Sequence, residues 1–276
     1  MALDTQRATT LAEEAIGIMH CGRYAGPNGE VAIDDAIARA VAATVDYLPS
    51  DVLAPATAQH TTRIVVTPES TLAATRRLAQ HHPAALNFAS AKNPGGGFLA
   101  GALAQEESLC RSSALFACLE RQPMYGFHGM RNDPLYTDRV IYAPAVPVFR
   151  DDDGALIDAY QVAFLTCPAP NARLALERDP AAGPAIEEAL RRRARRVLEV
   201  AAAHGHEVLV LGAWGAGVFG NAPEVVADAF GEALEGPMRG VFREVVFAVL
   251  GDTNRAVFER RFASAASSPR ELVTAG

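Results

Sequence analysis

The sequence predicts an α/β protein: three layers, α/β/α, around a central mixed sheet, with an N-terminal helical extension. Three observations predict it. From Arg63 onward, short β-branched runs alternate with longer helix-like segments, the pattern of strands covered by helices on both faces. Half of the 276 residues are apolar, enough for one large core. Two glycine-rich loops each follow a strand and precede a helix, and in open α/β sheets ligands sit beyond the carboxyl ends of the strands.

Residues 1–62 differ from the rest of the chain. Leu11 to Met19 and Val31 to Leu48 read as two helices, parted by the loop Tyr24-Ala25-Gly26-Pro27-Asn28-Gly29. In the second, Ile33, Ile37, Ala40, Val41 and Val45 keep close to a helical period. This region is expected to be an accessory extension, and residues 63–276 the main α/β domain. There, strands are expected at Ile64–Thr67, Ala85–Ala89, Arg139–Ala143, Val146–Phe149, Tyr160–Thr166, Glu207–Leu211 and Glu244–Leu250. Helices are expected at Thr71–His81, across the apolar stretch Leu109–Leu119, at Pro184–His204 with an arginine-rich exposed face, at Pro223–Leu234 and at Asn254–Phe262. Asp151-Asp152-Asp153-Gly154 reads as a solvated hairpin turn, since it lacks the spacing and closing glutamate of a calcium loop.

A net charge of −7 argues against a partner that is duplex nucleic acid, whose binding depends on neutralising phosphates. A small anion held by backbone amides needs no basic surface. Lys92 is the only lysine. Cys21, Cys110, Cys118 and Cys167 have neither C-x-x-C nor Cys/His ligand spacing, so no metal site is expected. No apolar run reaches spanning length, and the start lacks a basic segment followed by an apolar one. A cytoplasmic monomer without membrane contact or cofactor is the expectation.

Asn93-Pro94-Gly95-Gly96-Gly97 is followed, after a seven-residue spacer, by Gln105-Glu106-Glu107. Consecutive glycines let a backbone approach a ligand closely. Two glutamates opening a helix beside them suggest phosphate binding joined to acid–base chemistry. A glycine turn before a helix with an acidic first turn would look the same. The second loop, Gly212 to Gly220, follows the strand Val208–Leu211. Its successive N–H groups suit an anion nest. It contains Gly215-x-Gly217-x-x-Gly220, but Glu235, at the spacing of a ribose-binding acid, falls in a turn beside Gly236-Pro237, which disfavours a dinucleotide fingerprint. Both loops can line one crevice and grip a diphosphate from opposite sides. Trp214 and Phe219 offer an apolar wall, though core packing suits Trp214 better.

Leu86-Asn87-Phe88-Ala89-Ser90-Ala91-Lys92-Asn93-Pro94-Gly95-Gly96-Gly97, the spacer and Gln105-Glu106-Glu107 closely resemble the signature of bacterial-type poly(ADP-ribose) glycohydrolases. Gly212 to Asn221 resembles the diphosphate loop of macrodomains. The resemblance implies a macrodomain core that binds ADP-ribose and hydrolyses ribose–ribose O-glycosidic bonds of poly(ADP-ribose), including polymer carried on poly(ADP-ribosyl)ated proteins. It implies Glu107 as the catalytic acid and Glu106 as the residue orienting ribose hydroxyls, supported by Gln105. Asn93, Gly95, Gly96 and Gly97 would lie beside the catalytic ribose. Gly215, Ala216, Gly217, Val218 and Phe219 would contact the diphosphate, with Phe219 also near the distal ribose.

The chemistry agrees with one acid and one positioning residue. Neighbours on a helix point about 100° apart, so Glu106 and Glu107 cannot act as facing carboxylates across a bond. Cleavage needs a proton for the leaving oxygen and stabilisation of an oxocarbenium-like centre, and the ligand's own diphosphate can help with the second. Exo action is expected if the extension closes one side of the crevice. Two other functions fit the same loops: a non-catalytic ADP-ribose reader, and a hydrolase of mono-ADP-ribosylated proteins or small ADP-ribose metabolites. The intact Gln-Glu-Glu favours an enzyme over a reader, since binding a diphosphate does not call for two carboxylates.

Overall fold

Apolar residues two apart along each strand face the same side of a sheet, and here both sides are used. The computed structural model describes residues 3–263. Helix α1 (Thr5–Cys21) begins at Asp4, whose carboxylate accepts the Arg7 N–H at 2.8 Å, and stops at Gly22 in the left-handed region. Next come the hairpin β1 (Arg23–Gly26) and β2 (Gly29–Ala32), helix α2 (Asp34–Ala42) and the short strand β3 (Val45–Tyr47). The expected single helix over 31–48 is therefore three elements. Its helical period holds only from Asp34 to Ala42, after which Val45–Tyr47 pairs with a sheet edge.

The chain continues through β4 (Arg63–Thr67), α3 (Thr71–Arg77), β5 (Ala84–Phe88), α4 (Gln105–Ser112), α5 (Leu115–Leu119) and α6 (Pro123–Gly129). The apolar stretch 109–119 is two helices rather than one. Ser113 breaks it with an extended backbone, its hydroxyl donating to the Leu109 carbonyl at 2.7 Å, while the next N–H donates to Pro147. The two strands expected at 139–149 are one bulged strand, β6 (Val140–Arg150), whose register shifts between Ala143 and Val146. After it come β7 (Leu156–Cys167), α7 (Ala172–Arg178), α8 (Gly183–Ala203), β8 (Val208–Leu211), α9 (Pro223–Glu235), β9 (Glu244–Ala248) and α10 (Asp252–Phe262).

Seven strands form one mixed sheet in the order β3-β6-β7-β5-β8-β9-β4. The run from β7 to β4 is parallel; β6 is antiparallel to both its neighbours. Leu86, Leu165, Leu209, Val245 and Phe247 pack on one face against α8, α9 and α10. Ala85, Phe164, Val210 and Val246 pack on the other, against residues of α1 to α5. Helices thus cover both faces, and the expected three-layer, macrodomain-like α/β/α architecture is what the chain forms. Among the described residues no helix is long and apolar enough to cross a membrane.

One irregularity positions the site. Strand β5 pairs with β7 along its whole length but with β8 only at Ala84 and Ala85. Beyond Ala85 the sheet splits between β5 and β8, opening a crevice at their carboxyl ends.

Candidate active site

Residues 89–104 leave β5 as a folded loop. The Ser90 hydroxyl accepts the N–H groups of Lys92 and Asn93 at 3.3 and 3.1 Å, and the Gly96 N–H donates to Asn93. Gly95 and Gly96 have φ of +69° and +60°, a region costly for other residues. Gly96 needs to be glycine for a second reason: a Cβ there would collide with Glu107 Oε1 and lie 3.1 Å from Glu106 Oε2. Both carboxyls therefore rest against the backbone of one glycine. The loop's end lies on α1, since a Cβ on Gly101 would run into the Thr5 carbonyl.

The first turn of α4 carries Gln105, Glu106 and Glu107. The Gln105 carboxamide fills the split in the sheet. Its Oε1 accepts the Phe88 N–H at 2.9 Å and its Nε2 donates to the Leu86 carbonyl at 2.8 Å and to Thr71 Oγ1 at 3.1 Å. Glu106, 2% exposed, accepts the Ser90 N–H at 2.6 Å and the Asn87 side-chain N–H at 3.3 Å. Glu107, 9% exposed, accepts the Gly97 N–H at 2.9 Å. Burial, reinforced by the charge of Glu107, pushes the Glu106 carboxyl up to about 8 against the pull of its N–H donors. The Glu106 carboxyl is therefore held in its protonated form at neutral pH.

The second loop is pinned from below. Trp214 is fully buried, donates from its indole to the Cys167 carbonyl at 2.9 Å and packs on Phe230. It is a core anchor and forms no wall. The Asn221 amide ties the loop closed, donating to Pro170 and Gly215 carbonyls at 2.8 and 3.1 Å. Phe219 faces the crevice, backed by Tyr136 at a centroid distance of 6.1 Å.

These parts enclose a cavity of about 340 Å³. Asn93, Gly96, Gly97, Gln105, Glu106 and Glu107 line it from the first loop and α4; Gly215, Gly217, Val218 and Phe219 line it from the second loop. Gly95 and Ala216 do not reach it. Gly95 is turned onto Phe98 and Cys110, and the Ala216 N–H is taken by the Ala213 carbonyl. The lining also includes Phe88 and Ser90, and Asn87 stands behind Glu106; sequence reasoning gave these no role although they lie inside the signature. In sequence only Asn87 stands out, as a polar residue near the end of an apolar strand; the structure shows it fully buried. A second cavity of about 280 Å³ adjoins the first, sharing Phe88, Ala104, Gln105 and Ala213 and extending to Glu69, Leu103, Leu250 and Asn254. Glu69 is held by Arg77 through two bonds of 2.9 and 2.6 Å, which keeps its carboxyl below the usual range.

His128 links the rims of the cavity. Buried on α6, it bonds the Ala91 carbonyl at 3.3 Å and Thr137 Oγ1 at 2.8 Å. Burial pushes it down to about 4, so it is neutral at neutral pH.

A three-layer α/β/α sheet whose two glycine loops close on one cavity, with a carboxyl pair at its wall, defines a macrodomain-like protein equipped for acid–base chemistry. The family model for the microbial-type PARG, catalytic domain, matches residues 12–151, and the chain belongs to this family of poly(ADP-ribose) glycohydrolases. A crystal structure of poly(ADP-ribose) glycohydrolase from Thermomonospora curvata is 48% identical, with a TM-score of 0.88 over 93% of this chain and 100% of that one. The same T. curvata protein bound to the inhibitor ADP-HPD matches at 47% identity and a TM-score of 0.85 over the same shares. Poly(ADP-ribose) glycohydrolase from Deinococcus radiodurans, in complex with ADP-ribose, is 41% identical, with a TM-score of 0.75 over 83% of this chain and 97% of that one. A search among curated proteins gave no match.

Proposed function

We propose that this protein is a glycosidase that hydrolyses the ribose–ribose O-glycosidic bonds of poly(ADP-ribose), releasing ADP-ribose from the chain end with Glu107 as general acid. The observation that carries the reading is the convergence of both glycine loops and the carboxyl pair on one cavity. The D. radiodurans relative binds ADP-ribose and the T. curvata relative binds ADP-HPD, which supports the same ligand class here.

The roles follow from the geometry. Glu107 is the more exposed of the pair and is oriented by the Gly97 N–H, so it is the one to meet the leaving ribose oxygen. Glu106 is fixed by Ser90 and Asn87 and orients ribose hydroxyls. Glu107 gives its proton to the leaving oxygen as the C–O bond breaks, the substrate's diphosphate stabilises the oxocarbenium-like centre, and a water adds to the anomeric carbon and returns its proton to the Glu107 carboxylate. Gly215, Gly217 and Val218 take the diphosphate, and Phe219 the apolar edge of a ribose. Residues 1–62 act as an accessory segment to the catalytic unit, since α1 supports the end of the first glycine loop. A reducing, cytoplasmic setting agrees with four free thiols, three of them buried.

One observation favours a second assignment: burial holds the proton on Glu106 up to about 8, which suits a donor. ADP-ribose release from purified polymer separates the two. Glu107→Gln should abolish release while ADP-ribose binding persists. Glu107→Gln keeping its activity while Glu106→Gln loses it would transfer the acid role, and a wild type that binds but releases nothing would make the protein a reader.

A further inference from the structure

We propose that Lys92, Arg131 and Arg173 form a polymer-binding rim that takes the diphosphate of the ADP-ribose unit next to the one being cleaved. The inference rests on the glycohydrolase reading, because only a polymer presents a second diphosphate beyond the cavity. In that substrate the leaving oxygen belongs to the adenine-bearing ribose of the adjoining unit, whose own diphosphate lies only a few bonds away. Whatever borders the cavity on the leaving side therefore meets a dianion.

Three exposed cations occupy that border. Lys92 stands between Ser90 and Asn93, both of which line the cavity. Arg131 closes α6: its N–H donates to the His128 carbonyl at 3.2 Å, and His128 in turn bonds Ala91, the neighbour of Lys92. Its guanidinium lies over the Phe127 ring, 4.2 Å from the centroid, which holds it without spending its charge. Arg173 opens α7 beside the second loop, its N–H donating to the Phe219 carbonyl at 3.0 Å. The three thus follow the rim from the first glycine loop, past α6, to Phe219.

Their charges are unspent. None of the three is within ion-pair distance of a carboxylate among the described residues, whereas Arg191, Arg192 and Arg195 on α8 are all paired with acids. In a chain of net charge −7, cations left open at one rim attract a polyanion there. The acids sharing the region are Asp133, Glu177 and Asp179; the side chains of Asp133 and Asp179 accept backbone N–H groups of their own turns. At the other end of the crevice Glu69 is neutralised by Arg77, and Asp152 is an acid with no cation paired to it among the described residues. An anionic chain is therefore drawn toward the rim of open cations.

The test compares long poly(ADP-ribose) with ADP-ribose as ligands, for the wild type and for Lys92→Ala/Arg131→Ala/Arg173→Ala, in a Glu107→Gln background that prevents turnover. At low salt the triple variant should bind polymer about 10-fold more weakly, its ADP-ribose affinity unchanged within twofold, and added salt should erase the difference. Lys92→Arg/Arg131→Lys/Arg173→Lys should restore polymer binding. Equal polymer binding by the wild type and the triple variant, or an equal loss for ADP-ribose, would overturn the rim. So would single-stranded RNA of matched phosphate number competing as well as the polymer. Unmutated protein that binds polymer through the rim yet releases no ADP-ribose would sink the glycohydrolase reading and leave the rim standing.

Discussion

The Gly97 N–H donates to Glu107 Oε1 at 2.9 Å, so the candidate acid is held by the loop that faces the ligand. The residue before it makes this contact possible. Gly96, at φ +60°, leaves no room for a methyl between itself and the two carboxyls. Gly96→Ala is expected to push Glu107 off Gly97 and lower kcat on poly(ADP-ribose) by about 100-fold, the scale of a misplacement near 1 Å. Unfolding in urea should show a cost of about 1–3 kcal/mol from the strained backbone. Unchanged turnover in a folded variant would mean that the carboxyl pair is not where the reaction occurs.

The Glu106 carboxyl is raised from 4.5 to about 8, chiefly by burial. Between those values the folded state binds more protons than the unfolded one, so this group's contribution is fully present below about pH 4.5 and is lost by about pH 8. Stability should fall with rising pH across the window. Glu106→Gln removes that dependence, so the variant's stability relative to wild type should rise from pH 5 to 8 by on the order of a few kcal/mol and then level off. Urea melts of both proteins at four or five pH values give the comparison; parallel pH profiles would show that Glu106 ionises normally.

Gln105 acts as a piece of strand. Its carboxamide satisfies Leu86 and Phe88 where β8 has parted from β5. Gln105→Ala leaves a buried carbonyl and an N–H without partners, at a cost of about 1–3 kcal/mol. Gln105→Glu should cost at least as much, because a carboxylate faces the Leu86 carbonyl with no hydrogen to offer. Denaturation midpoints check both. ADP-ribose affinity should fall along with stability, since Phe88 forms part of the cavity wall.

The first glycine loop and its carboxyl pair were legible in the sequence because they are contiguous: Asn93 to Glu107 carries its spacing, its conformational needs and its chemistry in fifteen positions. The alternation of strands and helices was legible for the same local reason. What sequence missed depends on tertiary contact. Val45–Tyr47 is a strand because the edge of β6 recruits it, and nothing in those three residues opposes a helix. Ser113 ends α4 because it bridges to Val148 on β6. Asn87 holds Glu106 across 19 positions, a pairing that no local pattern announces. The arginines of α8 misled most: five in six positions, Arg191 to Arg196, read as a solvated face, yet Arg193 and Arg196 are buried.

Arg193 yields the last prediction. Fully buried, it pairs with Asp138 at 3.1 Å and donates to the carbonyls of Pro168 and Leu135 at 2.8 and 2.7 Å. It thereby fastens α8 to the end of β7 and to the turn that presents Tyr136 to Phe219. Arg193→Met keeps much of the volume but leaves two carbonyls without this donor, and should cost on the order of 3 kcal/mol. ADP-ribose affinity should drop too, because Tyr136 loses the fixed turn beneath it. Arg192→Met is the control. It removes the same charge from the neighbouring position, which is half exposed and pairs with Asp138 from the solvent side, so stability should change by about 0.5 kcal/mol or less. Equal effects from the two substitutions would show that net charge, and not the buried contacts of Arg193, holds this wall of the site in place.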